Sequence, residues 1–257
     1  MKDLSKYSDP TNFIKGTASL QNGVDLFDWT CKIPDPDIVS GSYRVFESID
    51  PRPSMVIEHF ESIKNWEILD LGTFEGAHAF QLEKDGANVT AIEAHPQNYL
   101  KCLIVKNALG MKTKFLLGDF HKYMDSFEGK YDLIFASGVL YHMPDPALFL
   151  KSMSQITKNL FIWSHYVSSD HANNWDPTFI EKRNLDGKVY TYYNYEYDPE
   201  RPDRVYAGIE NKCNRMTLED IESCLDNYNY KTIKLLENRT DHPGGPAFSL
   251  IAEQDLE

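Results

Sequence analysis

The stretch Ile68-Leu69-Asp70-Leu71-Gly72-Thr73-Phe74-Glu75-Gly76 decides the fold class of this 257-residue chain. A short apolar run ends in a glycine-containing turn, a pattern typical of a buried strand that passes directly into a helix. The two glycines permit a tight turn and let a ligand approach the backbone closely. We therefore expect a ligand site at the carboxyl end of this strand.

Short apolar runs alternate with helical stretches on both sides of this turn. The runs have the length of buried parallel strands and cover Trp66–Leu71, Val89–Glu93, Lys114–Leu117, Tyr131–Ala136 and Asn159–Trp163. The predicted helices cover Ser54–Ser62, Gly76–Lys84, Pro96–Ala108, Asp145–Ile156 and Thr217 to about Tyr228, and two further strands cover Tyr230–Leu236 and Ala247–Ala252. The pattern predicts an α/β fold with a doubly wound, mostly parallel, seven-stranded sheet.

Two segments do not follow the alternation. Residues 1–55 are punctuated by prolines, and we expect them to form an arm that covers the cleft of a domain spanning residues 56–257. Residues 167–216 form an insertion after the fifth strand, rich in tyrosines between Tyr190 and Tyr206. Two interpretations of the insertion stay open: a lid over the substrate pocket, or an exposed hairpin that covers a sheet edge.

The net charge and the spacing of the cysteines limit which macromolecules and metals this protein is expected to bind. Asp and Glu outnumber Lys and Arg by 39 to 26, which gives a net charge of −13 and disfavours nucleic acid and anionic membranes. The 4 cysteines show no spacing typical of a zinc site or a disulfide framework, so we expect no metal. With a polar N-terminus and no apolar run of about 18 residues, the sequence predicts a cytoplasmic protein without a membrane span.

Acidic residues lie at the ends of three successive predicted strands. Glu93 ends the second strand, where a carboxylate can accept both hydroxyls of a ribose. Asp119 follows the third strand and can accept the amine of an adenine, while Phe120 stacks on the ring. Together with Asp70 at the first strand, they predict an adenosine site.

Features that bind phosphate groups are missing from this site, and their absence limits which adenosine-containing cofactor it can hold. A dinucleotide needs its pyrophosphate at a G-x-G-x-x-G turn, but here Thr73 or Phe74, depending on the alignment, replaces the second glycine, and Glu75 adds negative charge there. No G-x-x-x-x-G-K-[ST] loop is present for a nucleoside triphosphate. S-adenosylmethionine has no phosphate and carries a cationic sulfonium, so an acid-lined site favours it.

The segment from Ile68 to Tyr166 resembles the class I S-adenosylmethionine-dependent methyltransferases. Within them, Glu93-Ala94-His95-Pro96, Gly118-Asp119-Phe120 and Ser137-Gly138-Val139-Leu140-Tyr141-His142-Met143-Pro144-Asp145-Pro146 resemble the branch that holds the wobble-uridine tRNA carboxymethyltransferases and many small-molecule methyltransferases. A weaker similarity covers Asp241–Pro246. The resemblance implies a Rossmann-like methyltransferase fold and S-adenosylmethionine as cofactor, with S-adenosylhomocysteine as product.

The resemblance also implies roles for individual residues. Besides Asp70 and Gly76 of the turn, the implied cofactor contacts are Gly72, Thr73 and Phe74 at the methionine end, Glu93 at the ribose, Ala94, Asp119 and Phe120 at the adenine, and Ser137 and Gly138 beside the amino-acid part or the sulfonium. Most members carry a glycine where Phe74 stands, so we expect a bulkier loop here.

Methyl transfer is an in-line displacement, and a hydroxyl or amine acceptor must also lose a proton. His142 is the first candidate base because it comes after the fourth strand, near the expected methyl group; alternatively it orients Tyr141, the third candidate catalytic residue. His165, after the fifth strand, is the second candidate base. A thioether or a preformed anion needs neither histidine. His78 and His121 are interpreted as surface or helix-start residues.

Three functions remain in competition. The first is methylation of a small molecule at O, N or S; the second is modification of RNA; the third is binding of S-adenosylmethionine without catalysis. Carboxymethyl transfer would need a cation for the extra carboxylate, and the arginines outside the core that are available for it are Arg44, Arg201, Arg204 and Arg215. The oligomeric state stays open.

Overall fold

The computed structural model describes residue 14 and residues 16–47, 50–168, 177–197 and 208–255. Its larger sheet has seven strands in the spatial order β3 (Lys114–Leu117), β2 (Asn88–Glu93), β1 (Glu67–Leu71), β4 (Leu133–Ser137), β5 (Asn159–His165), β10 (Ala247–Gln254) and β9 (Tyr230–Arg239). The first five run parallel, and β10 is antiparallel to both of its neighbours. The doubly wound, mostly parallel, seven-stranded sheet predicted from the sequence is confirmed.

Helices cover both faces of this sheet. They are α1 (Leu20–Val24), α2 (Arg52–Phe60), α3 (Ala77–Lys84), α4 (Pro96–Leu109), α5 (Phe120–Ser126), α6 (Pro146–Ile156) and α7 (Leu218–Asn227), with 3₁₀ turns at Val45–Glu47 and Leu140–His142. The predicted caps form: Asp145 accepts a hydrogen bond from the Leu148 amide, and Thr217 from the Asp220 amide. The sequence interpretation missed α5, which Asp119 caps by accepting from the His121 amide.

Helix α2 begins earlier than the predicted start at Ser54. It runs from Arg52 to Phe60, with Pro53 in its first turn, where a proline costs no hydrogen bond. This shift matters for the site, because it places Arg52 at the start of a helix rather than in a loop. Beneath the helices, apolar side chains fill both faces of the sheet; Phe135 and Phe161 stack on one face at a centroid distance of 4.7 Å.

The insertion contains a second sheet of three antiparallel strands, β6 (Phe179–Leu185), β7 (Lys188–Glu196) and β8 (Lys212–Arg215). Tyr190 and Tyr192 on β7 are fully buried, and the Tyr192 hydroxyl donates to Asp145 over 2.9 Å. These two tyrosines therefore do not lie on an exposed hairpin face, as one interpretation of the insertion required.

Backbone hydrogen bonds join this small sheet to the loop after β4. The Asn214 amide donates to the Met143 carbonyl over 2.8 Å, and its side chain donates to the Pro144 carbonyl over 2.7 Å. The Val167 amide donates to the Met216 carbonyl over 3.0 Å. The described part of the insertion is therefore fastened to the loop that carries Tyr141 and His142.

Membrane spans, metal clusters and disulfides are absent from the part of the chain that the structure describes. No helix there has the length and apolar character that crossing a membrane requires. No group of three or more His, Cys, Asp or Glu side chains there is arranged to hold a metal ion. The cysteines Cys31, Cys102, Cys213 and Cys224 are buried and form no disulfide.

Candidate active site

A cavity of about 690 Å³ lies at the carboxyl ends of the parallel strands, at the switch point between β1 and β4 where ligands bind in open α/β sheets. Eleven of the residues predicted from the sequence line it: Gly72, Thr73, Phe74, Glu93, Ala94, Asp119, Phe120, Ser137, Gly138, Tyr141 and His142. Asp70, Gly76 and His165 do not line it. The structure thus brings nine of the eleven predicted cofactor residues and two of the three candidate catalytic residues to one cavity.

The loop after β1 forms the floor of the cavity. Gly72 has φ +68°, and a Cβ atom there would lie 2.6 Å from the Cγ1 atom of Val139. Phe74 also occupies the left-handed region, with φ +58°. The backbone at Phe74 therefore has the conformation that favours glycine, which gives a physical reason why a glycine is common at this position.

Glu93 is held at the edge of the floor by backbone donors. Its Oε2 atom accepts from the Phe74 amide and its Oε1 atom from the His95 amide, each over 2.8 Å. Burial raises its pKa to about 7, and these hydrogen bonds only partly oppose the effect. A carboxylate in this position gains from further hydroxyl donors, which a ribose supplies.

Asp70 and Thr73 lie beneath the same loop. Both side chains are buried. Burial raises the pKa of Asp70, and a hydrogen bond from the Thr73 side chain only partly opposes this effect. Thr73 also lines the cavity, whereas Asp70 supports the loop from beneath.

Asp119, Phe120 and His121 close the cavity at the β3 side. Phe120 is buried, and the Nε2 atom of His121 lies 3.0 Å from the Sδ atom of Met143. Burial lowers the pKa of His121, which keeps its ring neutral. The interpretation of His121 as a surface or helix-start residue was incomplete: it stands at the start of α5, but it also lines the cavity.

His142 ends the 3₁₀ turn after β4 and lines the cavity. Its Nδ1 atom is hydrogen-bonded to the Tyr197 hydroxyl, and its ring centroid lies 4.1 Å from that of Tyr141. Burial and the nearby Arg215 guanidinium lower its pKa to about 3. At neutral pH the imidazole is therefore uncharged, and its Nε2 atom remains for the cavity.

His165 is placed differently from His142. Its Nδ1 atom donates to the carbonyls of Gly245 and Pro246, over 3.0 and 3.2 Å, and its ring contacts Tyr141 edge to face. Burial, with Arg215, lowers its pKa to about 4. Of the two candidate bases, only His142 faces the cavity, while His165 holds the Asp241–Pro246 loop against Tyr141.

Sequence reasoning missed a charged cluster formed by Asp50, by Arg52 at the start of α2 and by His78 on α3. The Nε atom of Arg52 donates to Asp50 over 2.7 Å, its Nη1 atom donates to Ser137 Oγ over 2.9 Å, and His78 Nε2 lies 3.1 Å from Asp50. Burial raises the pKa of Asp50, but the hydrogen bonds from Arg52 and His78 outweigh it and hold the pKa well below its usual range. His78 is at the start of α3, as expected, yet it faces the cavity.

The structure also changes what the sequence suggested about Glu75 and about the arginines. Glu75 does not present free charge to a ligand: its side chain is fully buried and accepts from the Thr30 and Cys31 amides and from Lys101. Among the arginines considered for a carboxylate, Arg44 is exposed and pairs with Glu47, and Arg215 is buried against the rings of Tyr141 and Tyr195. Arg201 and Arg204 lie outside the described residues.

The family model of a methyltransferase domain matches residues 62–197, just over half of the chain. The chain belongs to this methyltransferase family. S-adenosylmethionine, the cofactor predicted from the sequence, is the one that this family uses. The glycine turn and the buried Glu93 carboxylate, which already accepts two backbone amides and faces the cavity, fit this cofactor: Thr73 would meet the methionine part, Glu93 the ribose, and Asp119 the adenine.

The curated relatives of this chain are named for different acceptors. The chain is 28% identical over 119 residues to a ubiquinone biosynthesis O-methyltransferase of Hydrogenovibrio crunogenus, covering 46% of this chain and 49% of the relative. It is 30% identical over 100 residues to a tRNA U34 carboxymethyltransferase of Nautilia profundicola, covering 38% of this chain and 33% of the relative. The chain thus spans half or less of the length of these curated relatives.

A solved structure shares the fold of this chain. The N-terminal domain of EvdMO1, crystallised with S-adenosylhomocysteine bound, matches with a TM-score of 0.70 at 19% identity, over 92% of this chain and 95% of that one. At this identity the likeness shows the fold alone. It extends beyond the residues matched by the family model, to most of the chain.

Proposed function

We propose that the protein transfers a methyl group from S-adenosylmethionine to a small-molecule acceptor carrying an O, N or S nucleophile. The observation that carries the proposal is the arrangement along the cavity. Carboxylates suited to an adenosine lie at the ends of β2 and β3, and Tyr141 and His142 lie beyond β4 on the same cavity. A donor extended across the strand ends would bring its methyl group towards these two side chains.

The cofactor, when bound, supplies an electrophilic methyl group on a sulfonium. The protein's contribution is chiefly to hold donor and acceptor in line and to exclude water. Glu93 and Asp119 fix the adenosine at one end, and the turn at Gly72 brings the backbone close to the methionine part. Tyr141 and Trp163 supply flat apolar walls where the acceptor would lie.

His142 is the residue we propose to receive a proton from a hydroxyl or amine acceptor. Its Nε2 atom accepts a proton only when Nδ1 carries one, which requires that Nδ1 donates to the Tyr197 oxygen. A pKa of about 3 makes this imidazole a weak base. We therefore expect proton transfer to His142 to increase the rate about 10²-fold, which is the lower end of the range for general bases.

The acceptor is proposed to be a small molecule because the protein is acidic. A net charge of −13 disfavours a phosphate polymer, and Arg52 is the one lysine or arginine among the described residues that line the cavity. The buried, unpaired cysteine thiols support the further proposal of a cytoplasmic location. The arm, residues 1–55, and the insertion, residues 167–216, are proposed to choose the acceptor, since residues of both line the cavity.

The proposal is tested in two steps. Calorimetry with S-adenosylhomocysteine should show one site per chain, and the Glu93→Ala variant should lose most of the affinity. A screen of metabolite extracts for consumption of S-adenosylmethionine should then reveal an acceptor. Binding without consumption in any extract would favour the non-catalytic alternative instead.

Modification of tRNA is the second candidate, favoured by the similarity to a tRNA U34 carboxymethyltransferase. It predicts tight binding of tRNA that weakens steeply with salt, because each phosphate contact releases counterions. Small-molecule methylation predicts no such binding at moderate salt. A filter-binding titration of tRNA at two salt concentrations separates the two candidates.

A further inference from the structure

We propose that Tyr197 and Cys213, both in the insertion, select the ring tautomer of His142 that can receive a proton, which makes Tyr197 a positioning residue for the reaction. This role rests on the proposed function and deepens it, because it gives the insertion a part in the proton transfer besides the proposed choice of acceptor. It is supported by the place of Tyr197 in the fold, by the hydrogen bonds around its hydroxyl, and by a second contact between the insertion and His142.

Tyr197 directly follows β7, and the small sheet holds its backbone. Its amide donates to the Asn211 carbonyl over 2.8 Å, which continues the pairing of β7 with β8. From this position the ring reaches His142: the two ring centroids lie 5.8 Å apart, and the hydroxyl is hydrogen-bonded to Nδ1. The hydroxyl is therefore presented to His142 from a strand end that the sheet keeps in register.

The Tyr197 hydroxyl lies between two hydrogen-bonding groups, the Nδ1 atom of His142 and the buried thiol of Cys213. A phenol carries one proton and can donate it to only one of them. When it donates to the sulfur, its oxygen accepts from the N–H group at Nδ1, and Nε2 then carries no proton. Burial and the contact with Cys213 raise the pKa of Tyr197 far above its usual range, so the hydroxyl keeps its proton at neutral pH.

Arg215 places positive charge beside this chain of hydrogen bonds. Burial and the Arg215 guanidinium lower the pKa of His142 to about 3, so the ring is neutral and holds a single proton. The hydrogen bond at Nδ1 decides which nitrogen holds that proton. Although burial raises the pKa of Cys213, the hydrogen bond from Tyr197 and the charge of Arg215 both favour an electron-rich sulfur, which suits the thiol as the acceptor.

Gly208 makes the second contact between the insertion and His142. A Cβ atom at Gly208 would lie 2.9 Å from the His142 carbonyl oxygen and 3.2 Å from the His142 Cβ atom. The insertion therefore touches His142 at its backbone through Gly208 and at its ring through Tyr197. The first contact restricts where the ring lies, and the second restricts where its proton lies.

The test reads the tautomer directly by ¹⁵N nuclear magnetic resonance of the histidine side chains at neutral pH. A ring nitrogen without a proton resonates far downfield of one that carries a proton, so the spectrum shows which nitrogen of His142 is protonated. The chain has 8 histidines, and the signals that disappear in His142→Ala belong to His142. The wild-type protein should show a protonated Nδ1 and a bare Nε2, with and without S-adenosylhomocysteine.

Four matched variants test the chain of hydrogen bonds. Tyr197→Phe should move the proton of His142 to Nε2 in most molecules, because a buried N–H group at Nδ1 would have lost its acceptor. Cys213→Ala should do the same, since the Tyr197 hydroxyl would turn to Nδ1, whereas Cys213→Ser keeps an acceptor and should retain the wild-type tautomer. Tyr193→Phe changes a tyrosine of β7 that does not line the cavity and should leave the spectrum of His142 unchanged.

Kinetics with a hydroxyl or amine acceptor found in the extract screen provide the second readout. Tyr197→Phe should lower kcat about 10-fold, which is part of the effect expected for His142, and should change the affinity for S-adenosylhomocysteine less than about 2-fold. In the His142→Ala background the same substitution should lower kcat less than about 2-fold, because Tyr197 acts through His142.

Failure of this role and failure of the proposed function are distinguishable. A wild-type protein that does not bind S-adenosylhomocysteine refutes the proposed function, whichever tautomer His142 adopts. Binding of S-adenosylhomocysteine together with a protonated Nε2 in the wild type overturns the role of Tyr197 and Cys213. An unchanged tautomer in Tyr197→Phe, or an equal loss of kcat with and without His142, overturns it as well. Thermal unfolding checks the fold of each variant, and the wild-type spectrum decides the matter if a variant does not fold.

Discussion

Glu75 and Lys101 form a buried ion pair, with 2.8 Å between Oε1 and Nζ, underneath the loop after β1. The same carboxylate accepts the Thr30 and Cys31 amides, so it joins the N-terminal segment to the sheet. Lys101 lies over the rings of Trp29 and Phe74. One buried carboxylate thus links the segment, the loop and α4.

Removing one partner of this ion pair should strongly lower the free energy of unfolding. Lys101→Met leaves the Glu75 charge buried without its cation, so we expect a loss of about 3 to 5 kcal/mol in the free energy of unfolding. The double variant Glu75→Gln/Lys101→Met buries no unpaired charge and should recover part of that loss. Urea unfolding followed by circular dichroism measures both. Equal stability of Lys101→Met and wild type would contradict the structural role of the pair.

Affinity for S-adenosylhomocysteine should increase between pH 6 and pH 8. With a pKa of about 7, Glu93 is mostly protonated at pH 6, and only the ionised form accepts both ribose hydroxyls. If the ionised form alone binds, affinity rises about tenfold across this range. Calorimetry at several pH values tests this, and the Glu93→Gln variant, which cannot ionise, should show a flat profile.

In the ligand-free protein, the free energy of unfolding should decrease as the pH rises. The folded pKa of Glu93 lies above the ordinary value of 4.5, so the folded state binds more protons between pH 4.5 and pH 7. The contribution of this residue to stability is complete below pH 4.5 and is lost as the pH rises through 7. The difference in stability between Glu93→Gln and wild type should therefore grow in favour of the variant from pH 5 to pH 8. A constant difference would show that the pKa is not raised.

His142→Ala should lower kcat about 10²-fold for a hydroxyl or amine acceptor and leave the affinity for S-adenosylhomocysteine unchanged. Because the pKa of His142 is lowered to about 3, its titration should not appear in the wild-type kcat profile between pH 6 and pH 9. His165→Ala is the comparison, since His165 touches the Gly245 and Pro246 carbonyls rather than the cavity. Full activity of His142→Ala would remove its assignment as a base.

Phe74→Gly should be more stable than Phe74→Ala by about 1 kcal/mol. Both variants lose the ring and its contacts, but only glycine accommodates φ +58° without strain. Because the ring is absent from both variants, the difference in stability between them reports the backbone strain, and thermal unfolding measures that difference. If alanine proves as stable as glycine, the loop relaxes to another conformation when the ring is removed.

The sheet and the lining of the cofactor site were predictable because both depend on local patterns. Apolar runs predict parallel strands, and the carboxyl ends of parallel strands meet at one edge of the sheet, so Glu93, Asp119 and Ser137 could be expected together. The surroundings of Glu75 were not predictable in the same way. Its partners Thr30, Cys31 and Lys101 come from distant segments, and no local pattern shows that they meet it.

Arg52 and Tyr197 were also not predicted as site residues, because their partners are distant in the sequence. Arg52 stands in Pro51-Arg52-Pro53, where the prolines suggested a loop, and its contact with Ser137 joins residues that are 85 positions apart. Tyr197 was one of many tyrosines in the insertion, and its bond to His142 depends on how β7 and β8 approach the turn after β4. Tertiary contacts across long separations decide such pairs.

The contacts of Asn214 with the Met143 and Pro144 carbonyls have a consequence for protein engineering. Exchanging the insertion for that of a relative, in order to change the acceptor, would also remove the donors that support the loop of Tyr141 and His142. If the insertion chooses the acceptor, as proposed, acceptor choice and the geometry of the loop that carries Tyr141 and His142 are inherited together. A productive chimera would have to carry both pieces from one parent.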